Sequence, residues 1–196
     1  MVPIPECGYE KPCRSAGGHP TITDLNSRPV LGCNRRNIEF PEGCGSMIVI
    51  HQAIPHDLDR LVPLFDAYRQ FYGQRSDVSA ARAFLLDRFS HSESVIFVAS
   101  RDSEAIGFTQ LYPSFSSISL ARIYVLSDLF VASNVRKQGT GRKLLEAAAD
   151  FGRLVGAYQL TLETAKTNIT AQALYETCGW ARDTEFYVYQ ITLTPT

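Results

Sequence analysis

The chain has 196 residues, 45% of them hydrophobic and 11% aromatic, with a formal net charge of -1. That apolar content suits one core and leaves little room for a second domain of any size. The charge balance excludes a global basic field for nucleic acid or an anionic membrane surface, and no apolar run nears the roughly 20 residues of a membrane span.

Residues 1–45 hold six of the ten prolines and four of the five cysteines, with little periodicity. They read as an extension without a core of its own. They lack a basic segment followed by an apolar one, so no signal peptide is expected and the protein is read as cytoplasmic. Cys7, Cys13, Cys33 and Cys44 lack the tight C-x-x-C pairs of common zinc sites. They read as free thiols, and no metal is expected.

The texture changes at Met47, and the folded domain is expected over residues 46–196. MIVIHQA reads as a strand. Leu58, Leu61, Val62 and Phe65 then recur at helical spacing, and Tyr68 and Tyr72 extend the stripe. Pro63 should kink this helix or delay its regular start. Ser76 and Asp77 can cap a second helix, with Ala81, Leu85 and Phe89 inward. SVIFVAS, EAIGFTQLYPSF and ARIYVLSDLFVAS read as strands, the last two joined by a turn as an antiparallel pair. A helix from about Gly139 to Val155 leads to the strand YQLTLET. A crossover of that length makes the flanking strands parallel. A short helix follows over Ile169–Cys178, ended by Gly179, and FYVYQITL reads as a closing strand. The fold class is α/β: one domain, a mixed central sheet, helices on both faces. His51 and His56 read as surface residues, and no Ser-His-Asp or Cys-His constellation is visible.

The strand-to-helix handover VRKQGTGRKLL carries the chemistry. Backbone N–H groups at a helix start lack intrahelical partners, and glycines at 139 and 141 leave them uncovered. With the helix dipole and the charges of Arg136, Lys137 and Arg142, this makes a cradle for phosphate or pyrophosphate. The P-loop and dinucleotide patterns both fail here, because Arg142-Lys143 replaces Lys-Ser/Thr and Leu144 takes the third glycine's place.

What remains, R-x-x-G-x-G, resembles the acetyl-CoA loop of the GNAT superfamily of N-acetyltransferases. LSDLFV upstream resembles that family's strand into the loop. NITAQALYETCGW resembles its second signature, matching at Asn168, Ala171, Leu174, Tyr175, Gly179 and Trp180. The resemblance covers about Met47–Leu193. It implies a splayed pair of central parallel strands and acetyl-CoA as cosubstrate. The pyrophosphate falls to the loop Arg136, Lys137, Gln138, Gly139, Thr140 and Gly141, and the pantetheine arm to Leu129, Phe130 and Val131. Asn168 then fixes the cofactor, and Tyr175 is the general acid that protonates the departing thiolate. A phenol with a pKa of about 10 can do that work.

LSDLFV is also close to the L-E-D-[FL]-[FY]-V strand of polyamine and diamine acetyltransferases. The glutamate that serves an ammonium substrate there is Ser127 here. Strand alternation sets neighbouring side chains on opposite faces, so Asp128 is not read as its simple replacement. A water relay to Ser127 or to Glu163 is an alternative, as is a purely structural role for either carboxylate. Tyr68, Phe71, Tyr72 and Asp77 lie where acceptor-binding elements are expected, and Tyr72 is the candidate contact for a cation. The resemblance thus implies N-acetylation of a small-molecule primary amine, polyamine-like, by direct transfer in a ternary complex. The alternatives are an aminoglycoside-type or protein amine, or a CoA-binding module without turnover. Neither nucleic acid nor membrane is an expected partner. A homodimer is, since relatives often dimerise.

Overall fold

The computed structural model describes residues 47–193. The extension over residues 1–45 and its cysteines lie outside them. The elements run β1 (Val49–Gln52), α1 (Leu58–Phe71), α2 (Val78–His91), β2 (Val95–Arg101), β3 (Glu104–Ser116), β4 (Ala121–Val131), α3 (Thr140–Leu154), β5 (Gln159–Leu162) and α4 (Ile169–Thr177). Short 3-10 turns, Pro55–Asp57 and Ser133–Val135, lead into α1 and towards α3.

The strands form one sheet in chain order, β1-β2-β3-β4-β5. Every pair is antiparallel except β4–β5, where α3 provides the crossover that a parallel pair requires. Alternation along β2 divides the core. Ile96 and Val98 face α1 and α2 together with Phe108 and Phe130. Phe97 and Ala99 face α3 with Leu126, Leu144 and Leu145. The α/β architecture with helices on both faces is therefore as expected.

Helix α1 starts at Leu58 and runs through Pro63 to Phe71. Pro63 lies on the exposed side, where the hydrogen bond it forgoes is replaceable by water. Asp57 anchors the start: its Oδ2 accepts from Ile54 N at 3.0 Å, and its Oδ1 binds Arg60 and lies 3.2 Å from His51 Nε2. His51 is thus an anchoring residue rather than a free surface one. Asp77 caps α2, accepting from Ala80 N at 2.9 Å. The turn between the helices is fastened by buried Asp66, which accepts from Ser76 Oγ at 2.7 Å and Asp77 N at 2.8 Å.

The strand expected over FYVYQITL does not form. Residues 181–193 have no regular structure, and all of them are exposed. Their β-favouring composition is real, but a strand needs a ladder partner, and among the described residues none lies beside them.

Candidate active site

Two features of β4 shape the site. The first is where the sheet divides. β4 and β5 pair only from Ile123 opposite Gln159 to Leu126 opposite Leu162. Beyond Leu126 the strands part, and the backbone of β4 from Asp128 to Val131 keeps its ladder to β3 but has none on the β5 side. The β4 peptide groups bordering that gap lack a strand partner on the β5 side, with Val131 O instead accepting from Arg136 Nε, which suits an extended ligand with amide groups of its own.

The second feature is a β-bulge. Gln110 pairs with Asp128 and Leu111 with Leu126, leaving Ser127 without an opposite residue. The extra residue reverses the side-chain alternation. Tyr124 and Leu126 face α3, whereas Phe130 faces α1. Asp128 stands opposite Gln110 and on the Phe130 side. The alternation argument made from the sequence assumed a regular strand, and the bulge removes that premise.

Around Asp128 the structure gathers tyrosines. Tyr68 of α1 lies beside its carboxyl group and donates from Oη to Ser127 O at 3.4 Å. Tyr72 packs edge-on against Tyr68, with ring centroids 5.1 Å apart. Tyr112 of β3 closes another side. Burial raises the Asp128 carboxyl above the ordinary value of 3.8, and the hydrogen bond with Tyr68 only partly offsets it. No ion pair holds Asp128 among the described residues. Burial and the neighbouring Asp128 push Tyr112 up to about 12, and the same two causes raise Tyr68. These phenols stay protonated at any physiological pH. Tyr112 escaped the sequence reading, because its strand was read only as an antiparallel partner of β4.

Tyr175 reaches the cleft from α4. It is half-buried, and its hydroxyl is raised above the ordinary phenol value by burial, then by Tyr72. Ring packing against Trp180 at 6.3 Å and the cluster that includes Leu174 hold it. The structure therefore brings Tyr68, Tyr72, Asp128 and Tyr175 to one cleft. Glu163, just past β5, is exposed and has no hydrogen bond among the described residues. Asn168 caps α4, its Oδ1 accepting from Ala171 N at 3.3 Å, so only its amide nitrogen is free for a ligand.

At the loop, Lys137 and Gly139 both have positive φ, 62° and 82°. Such residues turn successive N–H groups toward one point. The first intrahelical bond of α3 is from Lys143 N to Gly139 O, so the amides of Thr140, Gly141 and Arg142 remain open. Gly139 is required by its backbone angle, since a Cβ there would meet nothing within 4 Å. Gly141 sits close to α4: a Cβ there would lie 3.0 Å from Leu174 Cδ2, so that side chain would have to give way. Thr140 is buried, and its hydroxyl has no partner. The side chains do less than the sequence suggested. Arg136 turns back to Val131 O, its Nε donating at 2.9 Å, and lies over Phe71 and Phe130. Gln138 is held by Arg101 at 2.6 Å, and Arg142 points to Thr177 O at 3.5 Å. The groups left open at this loop are thus backbone amides beside engaged side chains.

Phe130 is buried and Leu129 packs toward α3, so it is the β4 backbone at Leu129, Phe130 and Val131 that borders the cleft. Open amides at the start of α3 that continue into a stretch of β4 backbone with no ladder to β5 fit acetyl-CoA.

Known proteins agree. The model of the Acetyltransferase (GNAT) family matches residues 60–180. An uncharacterised N-acetyltransferase of Bacillus subtilis, YhfO, is 49% identical over 140 residues, covering 71% of this chain and 94% of its own. The crystal structure of a probable acetyltransferase is 41% identical with a TM-score of 0.71, covering 76% of this chain and 99% of that one. An aminoglycoside N-acetyltransferase, AAC(6')-Iy, solved in complex with CoA, shares the fold at 20% identity and a TM-score of 0.64, covering 76% and 97%. The chain is a member of the GNAT family of acetyltransferases, and acetyl-CoA is its acetyl donor.

Proposed function

We propose that the protein N-acetylates a primary amine borne by a small cationic molecule, and that Asp128 receives that amine. The supporting observation is the Asp128 carboxyl itself. It is turned by the bulge into a tyrosine-lined cleft, is raised by burial, and has no cationic partner among the described residues. A carboxylate withdrawn from water without a partner is costly, and an ammonium ligand relieves that cost. The rings of Tyr68 and Tyr72 favour the same guest, since aromatic faces attract cations.

Acetyl-CoA, when bound, supplies an activated acetyl group. The open amides of Thr140, Gly141 and Arg142 hold its pyrophosphate, and the β4 backbone from Leu129 to Val131, which has no ladder to β5, holds its arm. Asn168 offers its free amide nitrogen to the same arm. Asp128 binds the ammonium from the α1 side and takes one proton from it, which frees the lone pair for attack. Ser127 offers its backbone carbonyl at the bulge and orients Tyr68. Tyr175 keeps its proton until the sulfur leaves, donates it to the sulfur, and regains the proton that the acylated nitrogen sheds. Transfer is direct, within a ternary complex, without an acetylated enzyme. Glu163 is a rim carboxylate that draws further positive charge on a polyamine.

The test is a panel of acceptors with acetyl-CoA, followed by release of free thiol. Di- and polyamines should be the best acceptors, monoamines poorer, and alcohols inert. Equal turnover of neutral and cationic acceptors would remove the role given to Asp128.

A further inference from the structure

Gln110 of β3 is fully buried, a rare place for a glutamine. Only half of its amide is used. Nε2 donates to Ser94 Oγ, just before β2, at 2.7 Å. Oε1 is buried and has no hydrogen-bond partner among the described residues. Buried polar atoms are nearly always paired, so an orphan acceptor marks a place where a donor belongs.

The register sets this acceptor beside Asp128. The two residues stand directly opposite on β3 and β4, and the next opposite pair on that face, Phe108 and Phe130, packs under α1. Opposite residues of an antiparallel ladder have Cβ atoms about 4.5–5.5 Å apart. Glutamine is one methylene longer than aspartate, so its amide can flank a group seated on the carboxyl. Asp128 is half-buried, and a guest that reaches it approaches Gln110 along the same face. Neither residue has a cation beside it among the described residues. Two neighbouring acceptors suit a guest that carries at least two N–H groups.

We propose that Gln110 Oε1 is the second acceptor for the substrate ammonium, and that it restricts the site to nitrogens with two or more N–H groups when charged. The inference rests on the reading of Asp128 as the group that receives the amine. The two oxygens do different work. A carboxylate can take a proton, whereas an amide oxygen only accepts a hydrogen bond. Once Asp128 has one proton, the neutral amine has no charge to hold it, and Gln110 keeps it in the cleft through a second N–H. The three protons of a primary ammonium then have three fates. One goes to Asp128. One is shed after attack and returns to Tyr175. The third stays in the product amide, on Gln110. A tertiary ammonium has a single N–H and leaves Oε1 orphaned.

Titration calorimetry on the full chain tests this with 1,4-diaminobutane and its N,N′-dimethyl and N,N,N′,N′-tetramethyl forms. Every nitrogen of these probes carries three, two and one N–H groups respectively when charged. The first two should bind alike, within about threefold, and the third about 10- to 100-fold more weakly, the worth of a hydrogen bond from a charged donor to a buried acceptor. Gln110→Met fills similar space without an acceptor. It should bind the diamine about 10- to 100-fold more weakly and the tetramethyl form as the natural chain does, so that the step disappears. Equal affinities for all three amines in the natural chain overturn the proposal, as does a loss already complete at the first methyl. So does a Gln110→Met variant that keeps the step, or one that weakens all three equally, which would make Gln110 a support for Asp128 alone. If that variant does not fold, the three affinities of the natural chain decide. Asp128→Asn separates the proposal from the reading beneath it. Diamine affinity unchanged in Asp128→Asn, or no binding to the natural chain, removes both. Affinity lost in Asp128→Asn and kept in Gln110→Met removes the role of Gln110 and leaves that of Asp128.

Discussion

Replacing Asp128 with Asn keeps the shape of the side chain and its acceptor oxygen for Tyr68, and removes only the capacity to take a proton. The consequence depends on the acceptor's own acidity. A primary amine with a lysine-like pKa of about 10.4 is uncharged in about one molecule in 2,500 at pH 7 and about one in 25 at pH 9. The natural enzyme takes the ammonium and strips it, so kcat/KM should be nearly flat once the raised Asp128 carboxyl has ionised. Asp128→Asn can use only the free amine, so its kcat/KM should climb about tenfold per pH unit. The defect should therefore be about 10³-fold at pH 7 and shrink about 100-fold by pH 9. Thiol release from acetyl-CoA with a diamine, across that range, is the assay. A defect that stays constant with pH, or one under threefold at pH 7, would refute the assignment.

The same substitution should stabilise the unliganded fold. A carboxyl raised in the folded state holds its proton where the unfolded chain has released it, so stability is lost as pH rises from 3.8 through the folded value. Asp128→Asn should melt higher than the natural chain at pH 7 and equally below pH 3.8, and a lower Tm at pH 7 would contradict the burial argument. Tyr175→Phe should lower kcat by about 10²- to 10⁴-fold with acetyl-CoA affinity intact, measured by calorimetry, whereas a loss of two- to threefold would make the ring a packing residue. At Gly107 a Cβ would lie 2.7 Å from Phe130 O, forcing β3 from β4 where β4 meets the cleft. Gly107→Ala should cost about 1–3 kcal/mol, lowering Tm by roughly 2–12 °C, and an unchanged Tm would show that the strands yield freely. A chain beginning at Met47 should stay folded and bind acetyl-CoA, and loss of binding would make the extension part of the fold.

Much of this was legible because it follows from local rules. The periodicity of Leu58, Leu61, Val62 and Phe65 gave α1, and the crossover length gave the parallel pair β4–β5. The spacing of Gly139 and Gly141 pointed to the open amides at the start of α3, although the two glycines differ in setting, one in a left-handed conformation and one beside Leu174. What escaped the sequence depends on partners distant along the chain. The bulge at Ser127 exists only as a mismatch of register with β3, and nothing in LSDLFV announces it. Tyr112 joins the site through that same pairing. Arg136 reads as an anion-binding charge, but its nearest acceptor is a carbonyl five residues earlier. FYVYQITL has the residues of a strand, while whether it becomes one depends on an edge the segment itself cannot encode.

The most direct test of the central claim is thiol release by the natural enzyme with acetyl-CoA and a matched pair of acceptors, a diamine and the diol of equal length. The account predicts turnover that requires the amine, yields the N-acetyl product and is lost in Asp128→Asn at pH 7. Release no faster than in buffer with every amine tried, or equal turnover of diamine and diol, would contradict it.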